Sequence, residues 1–555
     1  MRDVADAYVM ALADLDPLLA TQLGLRPDED RMPDFSPAGQ QAADELARST
    51  LARLDLIERA SAPAGGDEQR CARLLRERLD AGLAMSSQGE HLREVSNIFG
   101  PVHQMRGVFL SMPTATADDW AVIARRMAHT GPAMAGYRAS LAEGARRGLL
   151  AAPRQVRSMV AQLDEWAATA GGRGWFAEFA ASAAVQSALR AELDTAAASA
   201  SSAAAGLREW LAAEYLPRTA GTADGVGEER YRVCARSWSG ADLDPHDAYA
   251  WGWSQYQQLR EEMRAEAQRV LPGASAAEAM RYLNEHGEAV EGVEQIRERL
   301  QQLMDETVAD LDGTHFDLAD RVRVVEARIA PPGSAAAPYY TAPSQDFSRP
   351  GRTWLPTLGS TRFPLWGLVS TWYHEGVPGH HLQFAQWTHL SAELSTYQTS
   401  VGMISACAEG WALYAERLMD ELGYLADPGV RLGYLDAQSM RAIRVVIDIG
   451  MHLELTIPDD SPLFAGQRWT PELALEFFSA QCGRDEAFLR SEIVRYLSAP
   501  GQAITYKLGE RAWLAGRTAA RAARGDDFDL KSWHMAALSL GSLGLDDLEG
   551  ELASL

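Results

Sequence analysis

The chain is poor in cysteine, short of bases and free of long apolar runs, and each shortage excludes a class of protein. Its 555 residues hold only 4 cysteines. Cys71, Cys234, Cys407 and Cys482 are scattered with no C-x-x-C spacing, which excludes a disulfide-knit scaffold and suits reduced thiols. Cys407, set among alanines, reads as small core filler. No stretch approaches the roughly 20 apolar residues of a membrane span. The opening Met1-Arg-Asp-Val-Ala-Asp puts acids where a signal peptide needs an apolar core, so the expectation is a cytoplasmic protein. With 52 Lys and Arg against 76 Asp and Glu, the net charge is −24, which argues against nucleic acid and anionic membrane as partners. Nothing sets the oligomeric state, and a homodimer is one allowed arrangement. At 47% hydrophobic the chain can bury a large core.

Histidine is also scarce, yet three of the 12 fall within eight residues, in His374-Glu375-Gly376-Val377-Pro378-Gly379-His380-His381. Imidazole is a preferred zinc ligand, and a carboxylate beside a ligand is placed to take a proton from water on the metal. The spacing differs from H-E-x-x-H, which unites its histidines at i and i+4 on one helix. Here i+4 is Pro378, and in an ideal helix His380 would lie about 120° round the axis from His374. Pro378 and Gly379 therefore predict a helix that widens or kinks, with two residues in effect bulged out and His380 brought to the second ligand position. His381 is the alternative second ligand.

A catalytic zinc takes three protein ligands and keeps one position open. The best third ligand is Glu409, in the helical segment Ser405 to Glu416, because a carboxylate among Ala, Cys, Gly and Trp is costly to bury uncompensated. Glu416, at i+7, is its second-sphere partner on the same face. Zinc or another divalent metal is thus expected on His374, His380 and Glu409, with Glu375 as base.

Helical spacing in Asp67–Met85 and Trp120–Leu149 marks the first two hundred residues as a helical array. The low-complexity stretch 181–206 reads as a small-residue helix face. A soft boundary at residues 219–227 divides an N-terminal helical region, 1–218, from a metal-site region, 219–555, within one continuous fold. Asn97 to Gln104 breaks the helical pattern, as an interhelix turn or part of a cleft wall. Strand signals at 322–330 and 352–358, joined by a Pro/Gly/Ser-rich loop, place a small sheet before the metal helix. Pro364 suits that helix's first turn. The fold class is mainly α.

The segment from His374 to Gln383 resembles the H-E-x-x-P-G-H-x-x-Q hallmark of the bacterial domain-of-unknown-function 885 family. Similar motifs follow in order: Ala408-Glu409-Gly-Trp-Ala-Leu-Tyr414, then Arg441 to His452, then Pro500 to Lys507, with Tyr339-Tyr340 and Arg349-Pro350-Gly351 upstream. The resemblance implies a helical fold similar to thermostable carboxypeptidases and other gluzincin-like peptidases, with a deep cleft and a divalent metal. It favours His380 over His381, and it implies an edge strand that holds an extended peptide by main-chain hydrogen bonds.

The expected activity is hydrolysis of peptide bonds in short peptides, carboxypeptidase-like. By the same resemblance, Tyr506 is the first choice to stabilise the oxyanion and His452 the second. Arg441, Arg444 and Lys507 are the cations close to the motifs, expected to bind a substrate carboxylate; an internal ion pair, such as Arg444 with Asp448, is the competing use. Two other readings stay open: a non-catalytic metal-containing binding or structural protein, and a metallohydrolase of non-peptide amides.

Overall fold

The computed structural model describes residues 1–26, 28–60, 65–167, 172–331 and 337–555. They form a mainly helical array with two small sheets. Helices form where apolar residues recur at helical spacing and a cap closes the first turn. Ala117–Ala128, for example, buries Trp120, Ile123, Ala124 and Met127 behind a Thr116–Asp119 capping box. The helical spacing over Trp120–Leu149 is carried by two helices, Ala117–Ala128 and Thr130–Arg146, separated because Pro132 cannot donate to the carbonyl of Ala128. The low-complexity stretch becomes helix Ser187–Trp210, whose Ala196, Ala197, Ala200 and Ala204 are buried against both of those helices and Pro153–Ala167.

Two apolar cores result. The smaller is made wholly of residues from Leu18 to Tyr215. The larger takes in the rest of the chain, together with Val4, Leu54, Leu75 and other residues of the first three long helices, so the N-terminal region serves both. All four cysteines are free and buried. Among the described residues, no helix is long and apolar enough to cross a membrane.

Strand β1 (Ala289–Glu291) pairs antiparallel with β5 (Arg362–Pro364). A second sheet has the order β2 (Val325–Ile329), β4 (Gly351–Leu355), β3 (Tyr339–Thr341), with β2 parallel and β3 antiparallel to β4. Thus β2 and β4 answer the two expected strands and β3 is additional; part of the expected connection, residues 332–336, lies outside the described residues. Pro364 does not open the helix that carries His374. It ends β5 opposite Ala289, a place where its missing amide costs little, and that helix begins five residues later.

Five helices position the site: the His374 helix (Val369–Glu375), the His380 helix (His380–His389), the Glu409 helix (Ser405–Glu421), the Arg441 helix (Pro428–Leu453) and the Tyr506 helix (Thr505–Arg524). The Arg441 helix is buried along nearly its whole length, an all-round core helix, and packs on Pro245–Val270. The Glu409 and Tyr506 helices cross where Gly410 meets Gly509, and a Cβ on either would collide with the other's backbone. This seam brings Glu409 and Tyr506 close together. Gly410→Ala is therefore expected to force the helices apart, at about 1–3 kcal/mol, read as a lower denaturation midpoint in urea followed by tryptophan fluorescence.

Candidate metal centre

The motif does not bulge within one helix; it breaks it. The His374 helix stops at Glu375, Val377–Pro378 is a cis peptide, and a new helix starts at His380. Close approach explains both glycines. A Cβ on Gly379 would collide with the carbonyl oxygens of Tyr373 and His374, and one on Gly376 with Met304 Sδ. The Gly379 amide donates to Tyr373 O at 3.0 Å and the His381 amide to Gly376 O at 3.1 Å, so the chain remains hydrogen-bonded through the turn. The indole of Trp411 donates to the carbonyls of Pro378 and Gly379 at 2.9 and 3.1 Å. Consecutive residues of the Glu-Gly-Trp motif thus do separate things: Glu409 faces the histidines, Gly410 admits the Tyr506 helix, and Trp411 caps the break.

His374 Nε2 lies 3.4 Å and His380 Nε2 3.5 Å from the same oxygen, Glu409 Oε2. The three donor atoms lie within 4.8 Å of one another, and that oxygen is buried without a hydrogen-bond partner. These separations are long for hydrogen bonds. They match the edge of a tetrahedron with metal–ligand bonds of 2.0–2.2 Å, which is about 3.3–3.6 Å. The donor set, two imidazoles and one carboxylate, has the softness and count of a catalytic zinc site.

Around this set the imidazole of His374 is fixed from behind. Its Nδ1 donates to Glu416 Oε1 at 2.8 Å, and Glu416 also accepts from Ser370 Oγ and lies 3.6 Å from Arg441. That is the carboxylate–histidine arrangement that orients a ligand nitrogen. Burial alone would lower the His374 pKa, but contact with Glu409 and Glu416 outweighs it and raises it to about 9. Burial would likewise raise Glu409, and the two imidazoles hold it well below the usual carboxylate range. His381 is otherwise engaged: its Nε2 donates to Val322 O at 2.7 Å and its Nδ1 meets the Tyr340 hydroxyl at 3.0 Å. Burial pushes its pKa down to about 4, and neither nitrogen is free. A Cβ on Gly351 would strike both members of the Tyr340–His381 pair, which accounts for the glycine of Arg349-Pro350-Gly351.

Glu375 is buried beside the cluster. Burial raises its pKa, with Glu409 adding to the shift and His374, His380 and Arg441 opposing it. Tyr506 also reaches the centre: burial and the Glu409 carboxylate both raise its pKa, and the Arg444 guanidinium sits 5.0 Å above its ring.

The remaining candidates are committed elsewhere. Lys507 is fully buried and bonded to Glu510 and Gln438, an internal ion pair with no room for a substrate carboxylate. Arg444 donates to Glu492 and to the Tyr496 hydroxyl, both at 2.7 Å. Its counter-ion is therefore Glu492 and not Asp448, which accepts from Tyr231 and the Gly501 amide. His452 donates to Tyr496 O at 3.1 Å and lies about 16 Å along its helix from Arg441. Arg441 is the cation left near the cluster, with a buried, unpartnered Nε.

In the metal-free chain the His374 pKa of about 9 exceeds its unfolded value of 6.5. Its contribution to stability is then full below pH 6.5 and lost as pH rises through about 9. The melting temperature of chelator-treated protein is expected to fall across that interval more steeply than that of His374→Ala.

Among the solved structures that share this fold are two described as a "putative lipoprotein". One, from Colwellia psychrerythraea, is 23% identical, covers 100% of this chain and 98% of its own, and has a TM-score of 0.85. The other, from Shewanella oneidensis, is 18% identical, covers 99% and 98%, and has a TM-score of 0.73. At such identities the likeness shows the fold alone. No curated protein matches. A family model matches residues 17–552, almost the entire chain, and by that match the protein belongs to the family described as bacterial protein of unknown function, DUF885.

Proposed function

We propose that the protein is a metal-dependent peptidase that hydrolyses short, unstructured peptides from the carboxyl end, with zinc or another divalent cation held by His374, His380 and Glu409. The observation that carries this reading is the convergence of two imidazole nitrogens on one orphaned carboxylate oxygen at tetrahedral-edge spacing. Bound there, such a cation lowers the pKa of a water molecule towards neutrality and polarises a carbonyl.

The chain's own residues supply the rest. Glu375 follows a ligand in sequence without belonging to the donor set, and its carboxyl, raised by burial, suits a base that takes a proton from water and returns it to the leaving amine. A purely structural metal site has no use for such a group. Tyr506 is placed to donate its phenol hydrogen to the oxygen that gains charge, and the Arg444 guanidinium, anchored by Glu492, holds the ring. Arg441 is the candidate for the peptide's terminal carboxylate, a role the resemblance to metallocarboxypeptidases also supports. His374, Glu375 and His380 are 3%, 8% and 9% exposed, burial that excludes a folded protein as substrate.

Elemental analysis and a peptide-library digest test the core of the reading. His374→Ala and Glu409→Ala should lose stoichiometric metal, whereas Glu375→Gln should keep metal and fold but lose turnover by roughly 10²- to 10⁴-fold. Full metal occupancy in either of the first two variants removes the donor set; wild-type turnover in the third removes Glu375 as base.

Matched peptides test the carboxypeptidase part. Amidating the C-terminus removes a charge-assisted contact worth about 1.5–3 kcal/mol, so free-acid peptides should be cleaved about ten to a hundred times more efficiently, and Arg441→Met should erase the difference. Equal cleavage of both forms by the wild type would leave a peptidase with no preference for chain ends.

A further inference from the structure

Away from the metal centre, a cavity of about 430 Å³ lies where the two apolar cores meet, with Val95 and Ala151 of the smaller core and Leu497 of the larger in its wall. The volume is that of a small-ligand site. Glu94 is part of this wall. Its backbone is fixed by the Tyr137 hydroxyl, which donates to its carbonyl at 2.6 Å, and its side chain lies over Gly100, where a Cβ would come within 3.1 Å of Oε1.

No cation and no hydrogen-bond donor among the described residues meets the Glu94 carboxylate. The charged group that acts on it is another acid, Glu90, and burial together with Glu90 pushes its pKa up to about 7. Glu90 cannot be relieved by Glu94's needs, since it is already bound by Arg230 through two hydrogen bonds of 2.6 and 2.7 Å. Glu94 is half-buried, and a carboxylate partly withdrawn from water without a counter-charge bears part of that desolvation cost. Elsewhere the chain pairs such groups: Glu416, Glu492 and Glu510 all have cations. Glu94 has no such cation, and it faces a cavity.

The same wall carries Phe99 and Trp238, with ring centroids 5.6 Å apart and planes inclined at 43°. A carboxylate beside two aromatic faces is the arrangement that recognises an organic cation, by ion pairing at one end and cation–π attraction along its body. A metal ion does not suit the cavity, because the cluster His374, His380 and Glu409 is the single metal-capable group among the described residues. We propose that this cavity binds a small organic ammonium ion, with Glu94 as its counter-charge and Phe99 and Trp238 as its aromatic surface. The site shares no residue with the metal centre and does not depend on the function proposed for it.

Ligand-observed NMR titration of the full-length chain with propylammonium tests this, with 1-propanol and potassium ion as controls. Wild type should bind propylammonium saturably and at least tenfold more tightly than propanol, and potassium should not compete. Glu94→Gln should weaken binding tenfold or more while melting at the same or a higher temperature, since the substitution removes an unpaired, half-buried charge. Trp238→Leu should also weaken binding, and His374→Ala should bind as wild type does, which separates this site from the metal centre. Absence of saturable binding by the wild type, undiminished binding by Glu94→Gln, or equal binding of propanol would each overturn the proposal.

Discussion

The candidate centre depends on the chain leaving one helix at Gly376 and entering another at His380. In a continuous helix the two imidazoles would point about 120° apart; across the break their ring centroids are 4.8 Å apart. Three conditions make the break possible. The backbone must pass close to the carbonyls of Tyr373 and His374, which only glycine at 379 allows. Pro378 must withhold its amide from a helical ladder. The carbonyls that the turn leaves over must find donors, and the Trp411 indole supplies them. Remove any one and the histidines lose their common focus.

Behind the centre, the buried Arg441 helix organises charge. Asp436, Arg441, Arg444 and Asp448 all lie within it, and each is answered from a different helix or loop: Asp436 by Arg484, Arg441 by Glu416, Arg444 by Glu492, Asp448 by Tyr231 and the Gly501 amide. In a low-dielectric interior such pairs are costly to break singly. They fix the register of the helix against its neighbours, and thereby the position of Arg441 relative to Glu416 and of Arg444 relative to the Tyr506 ring. The cations that a substrate would meet are few because most of them are structural counter-ions.

What the sequence makes legible follows range. The spacing of His374 and His380 and the i+7 relation of Glu416 to Glu409 are local, Glu409 itself is marked by its apolar surroundings in sequence, and the structure brings these four together. Ser370, one turn before His374 and so on the same face, was readable by the same rule. The Lys507–Glu510 pair is an i,i+3 relation and was equally open to reading. By contrast, Arg444 meets Glu492 across a separation of 48 residues, and no periodicity announces such a pairing. Strand β3 is three residues long, too short to show alternation. Pro364 illustrates a real degeneracy, since the same fixed φ suits the start of a helix and the end of an edge strand. The break itself was legible as a disturbance but not as a complete interruption, because its cap comes from a tryptophan more than thirty residues away.

That tryptophan ties the convergence of the candidate donors to completion of the fold. Glu409, Gly410 and Trp411 occupy one turn of one helix, so the third donor, the seam with the Tyr506 helix and the cap on the histidine turn arrive together or not at all. A nascent or damaged chain in which this helix has not docked presents histidines that diverge and a carboxylate that faces nothing. Such a chain lacks the convergent donor set, so whatever these side chains can bind is a property of the docked helix and not of the segments taken singly.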